Sequence, residues 1–262
     1  MQNNLTTVAN VQIWLGIATA GDNPLLARLI ASASRAIHTY LQRPNLFQHT
    51  CSETYDGSGS RRQLLRQWPV VSVSSLTINT TPITAAPAFG QSGYILEPWN
   101  GYPPGRQQAV NVSGYNFTQG YGNVAVSYVA GYAVQNEAWT IPASPYQITI
   151  SAPYGSWAVD QGVTGMTLVS SPPTTGQYTA SNGVYAFSAA DAGKPVLISY
   201  SFIPADIEQA CIELVGERYR TKDRIGENSK TLGGQETVTY ATDSMNKYVR
   251  EMLQPFKKVT LC

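Results

Sequence analysis

Val124-Ala125-Val126-Ser127-Tyr128-Val129-Ala130-Gly131-Tyr132 and Ile203-Pro204-Ala205-Asp206-Ile207-Glu208-Gln209-Ala210 are the two stretches whose joint reading decides the fold. The first alternates valine and tyrosine with small residues and ends on a glycine, which is the chemistry of a strand and its stop. The second places a proline where a helix begins, since its missing N–H costs nothing in the first turn. Apolar residues then recur at Ile207, Ala210, Cys211, Leu214 and Val215, the 3.6-residue period of a half-buried helix. Asp206 and Glu208 suit the positive end of that helix, and Arg218 and Arg220 its negative end. Strand and helix read as neighbours, yet about seventy residues of different character separate them.

That intervening segment, from Gln135 to Phe202, carries few charges. Short apolar runs follow one another between proline and glycine turns: Ile148-Thr149-Ile150, Met166-Thr167-Leu168-Val169, Tyr178-Thr179-Ala180, Val184-Tyr185-Ala186-Phe187 and Val196-Leu197-Ile198-Ser199-Tyr200. They predict an all-β, barrel-like domain over 135–202. It would interrupt a body made of 1–134 and 203–262. Both of its ends read as strand-then-proline junctions, so it can protrude without disturbing that body. The fold class expected is α+β, a helical body with a β-sheet and hairpin region plus the inserted domain.

Upstream, Thr6 or Thr7 is placed to cap a short helix stopped near Gly16. Asn23-Pro24 opens a longer one with apolar residues at Leu26, Leu29, Ile30, Ala33, Ile37, Tyr40 and Leu41. From His49 to Tyr132 the pattern becomes β. Glu53-Thr54-Tyr55-Asp56 runs into the glycine turn Gly57-Ser58-Gly59-Ser60, and Val71, Val73, Leu76 and Ile78 alternate along a second strand. Downstream, Thr221 to Gln235 is polar, Val238-Thr239-Tyr240 reads as a short strand, and Asp243 is placed to cap a final helix through Met245, Tyr248, Val249, Met252 and Leu253.

The order strand, Ala-Gly-Tyr, Ile-Pro-Ala-Asp, amphipathic helix resembles the head–tail connector (adaptor) family of long-tailed bacteriophages. So do Asp56-Gly57-Ser58-Gly59 ahead of Pro69-Val70-Val71 and the closing Leu253-Gln254-Pro255-Phe256-Lys257-Lys258. Within the insert, Gly176-Gln177-Tyr178, Gly183-Val184-Tyr185-Ala186-Phe187-Ser188 and Asp191-Ala192-Gly193 are similar to a small β-barrel module of phage structural proteins. The resemblance implies a structural virion protein at the neck. It would form a ring, dodecameric in this family, beneath the portal. Genomic DNA would pass through it without sequence-specific binding, and a tail-completion (stopper) or tail-terminator protein would attach below. Val238, Thr239, Tyr240, Met245, Tyr248, Val249 and Met252 would bind the portal. Arg218, Arg220, Lys222, Arg224 and Lys230 would face the portal or the channel.

Composition limits the alternatives. Charged residues are 13% and the net charge is +1, so no global basic field points to a nucleic-acid binder, although a conduit for DNA needs none. Cys51, Cys211 and Cys262 form neither a metal signature nor a disulfide framework, and no cofactor is expected. The start reads as neither a signal peptide nor a membrane anchor, which predicts synthesis in the host cytoplasm and no membrane partner. His38 and His49 lack nearby catalytic companions, and no nucleophile elbow or phosphate loop occurs, so no enzyme is expected. The rival reading is a carbohydrate- or receptor-binding tail protein, with Trp139, Tyr146, Tyr154, Trp157, Tyr178 and Tyr185 offering rings for sugar stacking.

Overall fold

The computed structural model describes residues 4–98, 108–151, 154–222, 229–232, 236–239 and 245–258. In chain order, α1 (Val8–Leu15) and α2 (Asn23–Leu41) precede β1 (His49–Gly57), β2 (Arg62–Leu64), β3 (Val70–Ile78), β4 (Thr81–Pro82), β5 (Gly93–Glu97), β6 (Ala109–Ser113) and β7 (Gly120–Ala130). There follow β8 (Ala133–Thr140), β9 (Gln147–Thr149), β10 (Gly155–Val163), β11 (Thr167–Leu168), β12 (Gln177–Ser181), β13 (Val184–Phe187) and β14 (Pro195–Pro204). The chain closes with α3 (Ala205–Arg220), β15 (Ser229–Leu232), β16 (Glu236–Thr239) and α4 (Lys247–Leu253). The class is α+β. Two compact units divide it, 1–44 with 204–262, and 45–203.

In the first unit the local rules act as the sequence predicts, with small shifts. Thr7 Oγ1 accepts the Asn10 N–H at 3.2 Å and caps α1, and Gly16 ends it at φ 69°. Asp22 takes the cap position of α2, which leaves Asn23 already helical and Pro24 in the first turn. Pro204 stands before the first residue of α3. Leu26, Ile30, Ala33, Ile37 and Leu41 of α2 are buried, as are Ile207, Ala210, Cys211, Leu214 and Val215 of α3, and the two helices pack together. Burying each Leu or Ile contributes about 1.5–3 kcal/mol. Leu29 is only half-buried. Glu208, in the first turn of α3, accepts Asn10 Nδ2 at 2.7 Å and Thr6 Oγ1 at 3.2 Å, so a buried carboxylate ties α1 to α3. Burial pushes the Cys211 thiol up to about 12, which makes it an inert packing group.

The second unit holds two pairs of sheets. One sheet has the order β1-β7-β3-β4 and another β2-β6-β5, and both contribute to one core. Cys51, Tyr55, Leu76, Val124, Val126 and Tyr128 from the first meet Leu65, Val110, Val112 and Phe117 associated with the second. The strands from β8 to β14 pair only among themselves, as β10-β14-β8 and β11-β12-β13-β9.

The barrel expected over 135–202 does not close. After Val163 the chain turns through Gly165 at φ 76°, and β11 then runs parallel to β12. Among the described residues β8 and β10 remain the edges of one open sheet, and β9 and β11 those of the other. Residue 135 itself lies inside β8. The two ends of the segment meet: Val134 pairs with Tyr200 and Ala133 with Ser201, and the Phe202 N–H donates to the Tyr132 carbonyl at 3.1 Å.

A buried carboxylate fastens this part. Asp191 accepts Lys194 Nζ at 2.7 Å and the Gly176 N–H at 2.8 Å, with its own side chain fully enclosed. The hydrogen bond from Lys194, helped by that from Gly176, holds its carboxyl below the usual aspartate range. A depressed folded value means that the contribution is complete above the unfolded pKa, about 3.9, and disappears as pH falls through the folded value. Urea titrations from pH 6 downward should therefore show a stability loss below about pH 4 that is smaller in Asp191→Asn. Parallel pH profiles for the two proteins would refute this role.

Candidate functional site

The C-terminal segment was expected to present a docking face, and the structure divides its residues. Asn246, rather than Asp243, caps α4: its Oδ1 accepts the Val249 N–H at 2.8 Å, which fixes the helix start at Lys247. Asp243 lies outside the described residues. Met245, Val249 and Leu253 follow one another at four-residue spacing and are buried, with α4 packed on α3. Asn246 Nδ2 reaches Glu217 Oε2 at 3.3 Å, and the Lys258 N–H donates to the Leu41 carbonyl at 2.9 Å. Met245 and Val249 are thus spent on their own unit. Tyr248 is 58% exposed and Met252 half-buried, and they are the apolar side chains of a free face that also carries the exposed Lys247, Arg250 and Glu251. Val238 and Thr239 lie on β16, paired antiparallel to Lys230 and Ser229 of β15, and form a hairpin. Tyr240 lies outside the described residues.

The basic run is also divided. Arg218 is half-buried against α2, its Nη1 donating to Ser32 Oγ at 3.0 Å. Arg220 is exposed. Lys222 Nζ sits 4.3 Å from the centre of the Tyr219 ring, whose hydroxyl donates to Asp22. Lys230 is placed on β15, and Arg224 is outside the described residues.

A surface that the sequence reading left unassigned emerges from strand register. Gly57 pairs with Gly120, Ile78 with Val124, Arg62 with Asn111 and Gly93 with Ser113. These pairings bring the loops after β1 and β3, before β5 and between β6 and β7 to one end of their sheets. Tyr115, in the β6–β7 loop, and Tyr121, in the first residues of β7, stand there at 43% and 95% exposure. The loops are cross-linked: Gly59 N–H to Phe117 carbonyl at 2.6 Å, Gly122 N–H to Asp56 Oδ1 at 2.6 Å, and Asn123 Nδ2 to Asn79 Oδ1 at 2.9 Å. Large rings on polar, pre-ordered loops suit protein recognition at low entropic cost. Toward the other end of the β2-β6-β5 sheet a cleft of about 450 Å³ is lined by Arg62, Leu64, Ile95, Glu97, Pro98 and the 69% exposed Phe89. Its polar groups pair with one another or with the adjacent sheet. Glu97 accepts Asn111 Nδ2 at 2.8 Å and Arg62 Nε at 2.6 Å, and these contacts, Asn111 foremost, hold its carboxyl below the usual range.

The buried polar clusters are structural clamps. The hydroxyls of Tyr55 and Tyr128 both donate to Glu53 Oε2, the latter at 2.7 Å, and themselves accept the N–H groups of Arg66 and Gln67. Burial, reinforced by Glu53, raises both phenols. Asp160 takes the hydroxyls of Tyr178 and Tyr185 at 2.7 and 2.9 Å in the same manner, and Trp157 Nε1 donates to Tyr185 at 3.2 Å. Tyr178 and Tyr185 are buried, so their faces fill the core instead of stacking sugars. His38 and His49 each engage a backbone carbonyl, of Arg43 and of Phe47. Among the described residues no group of three or more His, Cys, Asp or Glu could hold a metal, and no helix is long and apolar enough to cross a membrane.

With no catalytic constellation among these clusters, likeness to known proteins decides the class. A family model described as head completion protein matches residues 4–144 and 161–259. The chain belongs to the head completion protein family. This head completion protein is accordingly a structural component of the bacteriophage virion, of a class that is not enzymatic, and works with other phage head and tail proteins. The match leaves out only 145–160 between its two segments, so it includes most of 135–202. No curated protein matches the chain.

Proposed function

We propose that this head completion protein is a head–tail connector. It assembles as a dodecameric ring beneath the portal, closes the DNA-filled head, and gives the tail its platform and the genome its channel. The family match over both the β7 strand and the α3 helix is the observation that carries the reading. A low-charge, tyrosine-rich chain with rings held on cross-linked loops fits large and wet permanent contacts. The portal would meet the C-terminal region through Tyr248 and Met252, with the hairpin of Val238 and Thr239 beside them. Met245 and Val249 would support that surface from within. The stopper or terminator protein would meet the ring on its other side. The segment 135–202 remains our candidate for a module on the outer rim, because its ends meet at Val134–Tyr200 and its strands pair only among themselves.

An electron-microscopy map of the virion neck tests the assembly. Twelve copies below the portal, with 135–202 outward, is the expected result, and a position at the tail tip would favour the receptor-binding reading instead. Tyr248→Ala tests the docking face. Because the side chain is 58% exposed, the variant should melt like the wild type. Loss of a contact ring should lower head–tail joining about tenfold or more in mixtures of purified heads and tails. Undiminished infectious titre would move the portal contact away from α4.

A further inference from the structure

The solvent side of α2 is unusual in its charge. Asn23–Leu41 contains two arginines and a histidine but no acidic residue. Pro24, Ala27, Arg28, Arg35 and Thr39 are exposed, with Ala31 and Ser32 half-buried among them. Positions 28, 32 and 35 are about one turn apart, so they form a line roughly 10 Å long. Arg218 enters the same line from α3, since its Nη1 is 3.0 Å from Ser32 Oγ. Three guanidinium groups therefore follow one another along a face otherwise made of small side chains.

Among the described residues Arg28, Arg35 and Arg218 take part in no ion pair. The carboxylates of Glu97, Asp191 and Glu251 pair with Arg62, Lys194 and Lys247. The carboxylates of Glu217, Glu213 and Asp22 accept from Asn246, Gln209 and Tyr219 rather than from these guanidinium groups. Arg28 and Arg35 stand two turns apart on α2, with no acidic residue of that helix to offset them. A line of arginines is complementary to a dense polyanion. Arginine forks bind phosphate oxygens in two-point contacts, and short neighbours such as Ala27 and Ala31 let a backbone come close.

We propose that the α2 face bearing Arg28 and Arg35, completed by Arg218, contacts the phosphate backbone of duplex DNA without reading its sequence. The proposal rests on the connector reading, which supplies the DNA, and it adds residues of α2 to the basic run read from the sequence. Phosphate contact alone positions a protein on DNA and carries no base information. Duplex DNA offers one charge per about 1.7 Å of axis, a density to which a 10 Å arginine line is suited.

The test is fluorescence anisotropy of the full chain with a labelled 30-base-pair duplex of arbitrary sequence, from 50 to 200 mM KCl. Wild type should bind with a salt-dependent affinity that is the same for a second, unrelated sequence. Arg28→Ala/Arg35→Ala should weaken binding at least tenfold at 50 mM and reduce the slope of log K against log salt by about 2, at 0.9 per lost phosphate contact. Arg28→Lys/Arg35→Lys should keep most of that slope. An unaltered slope in the alanine variant overturns the proposal. So does a wild type that ignores the duplex at 50 mM, or one that binds a poly-glutamate peptide in preference to it. Sedimentation of the same samples reads ring formation separately. Rings whose DNA binding ignores these arginines refute this inference alone, whereas arginine-dependent binding by a protein that never forms rings refutes the connector reading alone.

Discussion

Replacing Gly131 by alanine should destabilise the β unit by roughly 2–6 kcal/mol, the sum of left-handed backbone strain and overpacking. Gly131 has φ 133°, and its N–H donates to the Pro69 carbonyl at 2.8 Å. A Cβ there would lie 2.3 Å from the carbonyl carbon and oxygen of Phe47 and 2.5 Å from the Gln48 nitrogen. These are backbone atoms held in turn, since the next residue, Tyr132, donates its N–H to the Leu46 carbonyl at 2.8 Å. The neighbours therefore cannot move aside without breaking the end of the β1–β7 ladder, where His49 pairs with Ala130. Gly165→Ala is the matched control. Its φ is 76°, but a Cβ would meet nothing within 4 Å, so it should cost only about 1–2 kcal/mol of backbone strain. Urea unfolding followed by tyrosine and tryptophan fluorescence separates them, and equal midpoints for the two variants would refute the clash.

Gly131 also shows what a sequence can and cannot disclose. That the valine–tyrosine strand stops at this glycine was legible, because period-two alternation and a glycine are local signals. That the glycine is required by Phe47, more than eighty positions earlier, was not, since nothing local encodes the approach of two distant backbones. The same division runs through the molecule. The stripe of α2 and α3 was read from spacing, and Ile37, Ile207 and Leu214 are buried as that spacing implies, while Leu29 at the margin of the stripe is only half-covered. β10 (Gly155–Val163) was missed, because Gly155, Asp160, Gln161 and Gly162 break the apolar pattern, and Asp160 is there to receive two tyrosine hydroxyls from β12 and β13.

The candidate surfaces divide in a similar way. Tyr248 and Val249 are adjacent and were read as one apolar face of α4, but they point apart, one to solvent and one into α3 packing. A helix of seven residues gives too few repeats for sequence spacing to fix its phase. The loop end of Tyr115 and Tyr121 had no sequence signal at all as a site. Tyr115 lies in a loop and Tyr121 in β7, and the antiparallel register of β1 with β7 and of β5 with β6 sets where that end lies.

Leu214→Ala should cost the helical unit about 2–5 kcal/mol, toward the upper part of that range. The size depends on whether the cavity can collapse, and here the surrounding helices are fixed at several points. The Leu5 N–H donates to Ser34 Oγ at 3.0 Å, Ser34 lies 3.7 Å from Cys211 Sγ, Arg218 reaches Ser32 at 3.0 Å, and Tyr219 bonds Asp22. α2 therefore cannot slide toward α3 to fill the space without losing these polar contacts. Leu214 itself is 1% exposed, so the removed side chain leaves its full volume behind. Leu29→Ala, at a half-buried position, should cost clearly less. Denaturant unfolding gives both values, and hydrogen exchange should show the loss of protection in the amides of α2 and α3. A cost below about 0.5 kcal/mol for Leu214→Ala, the size of an ordinary surface change, would mean that α3 does not use this stripe to hold α2.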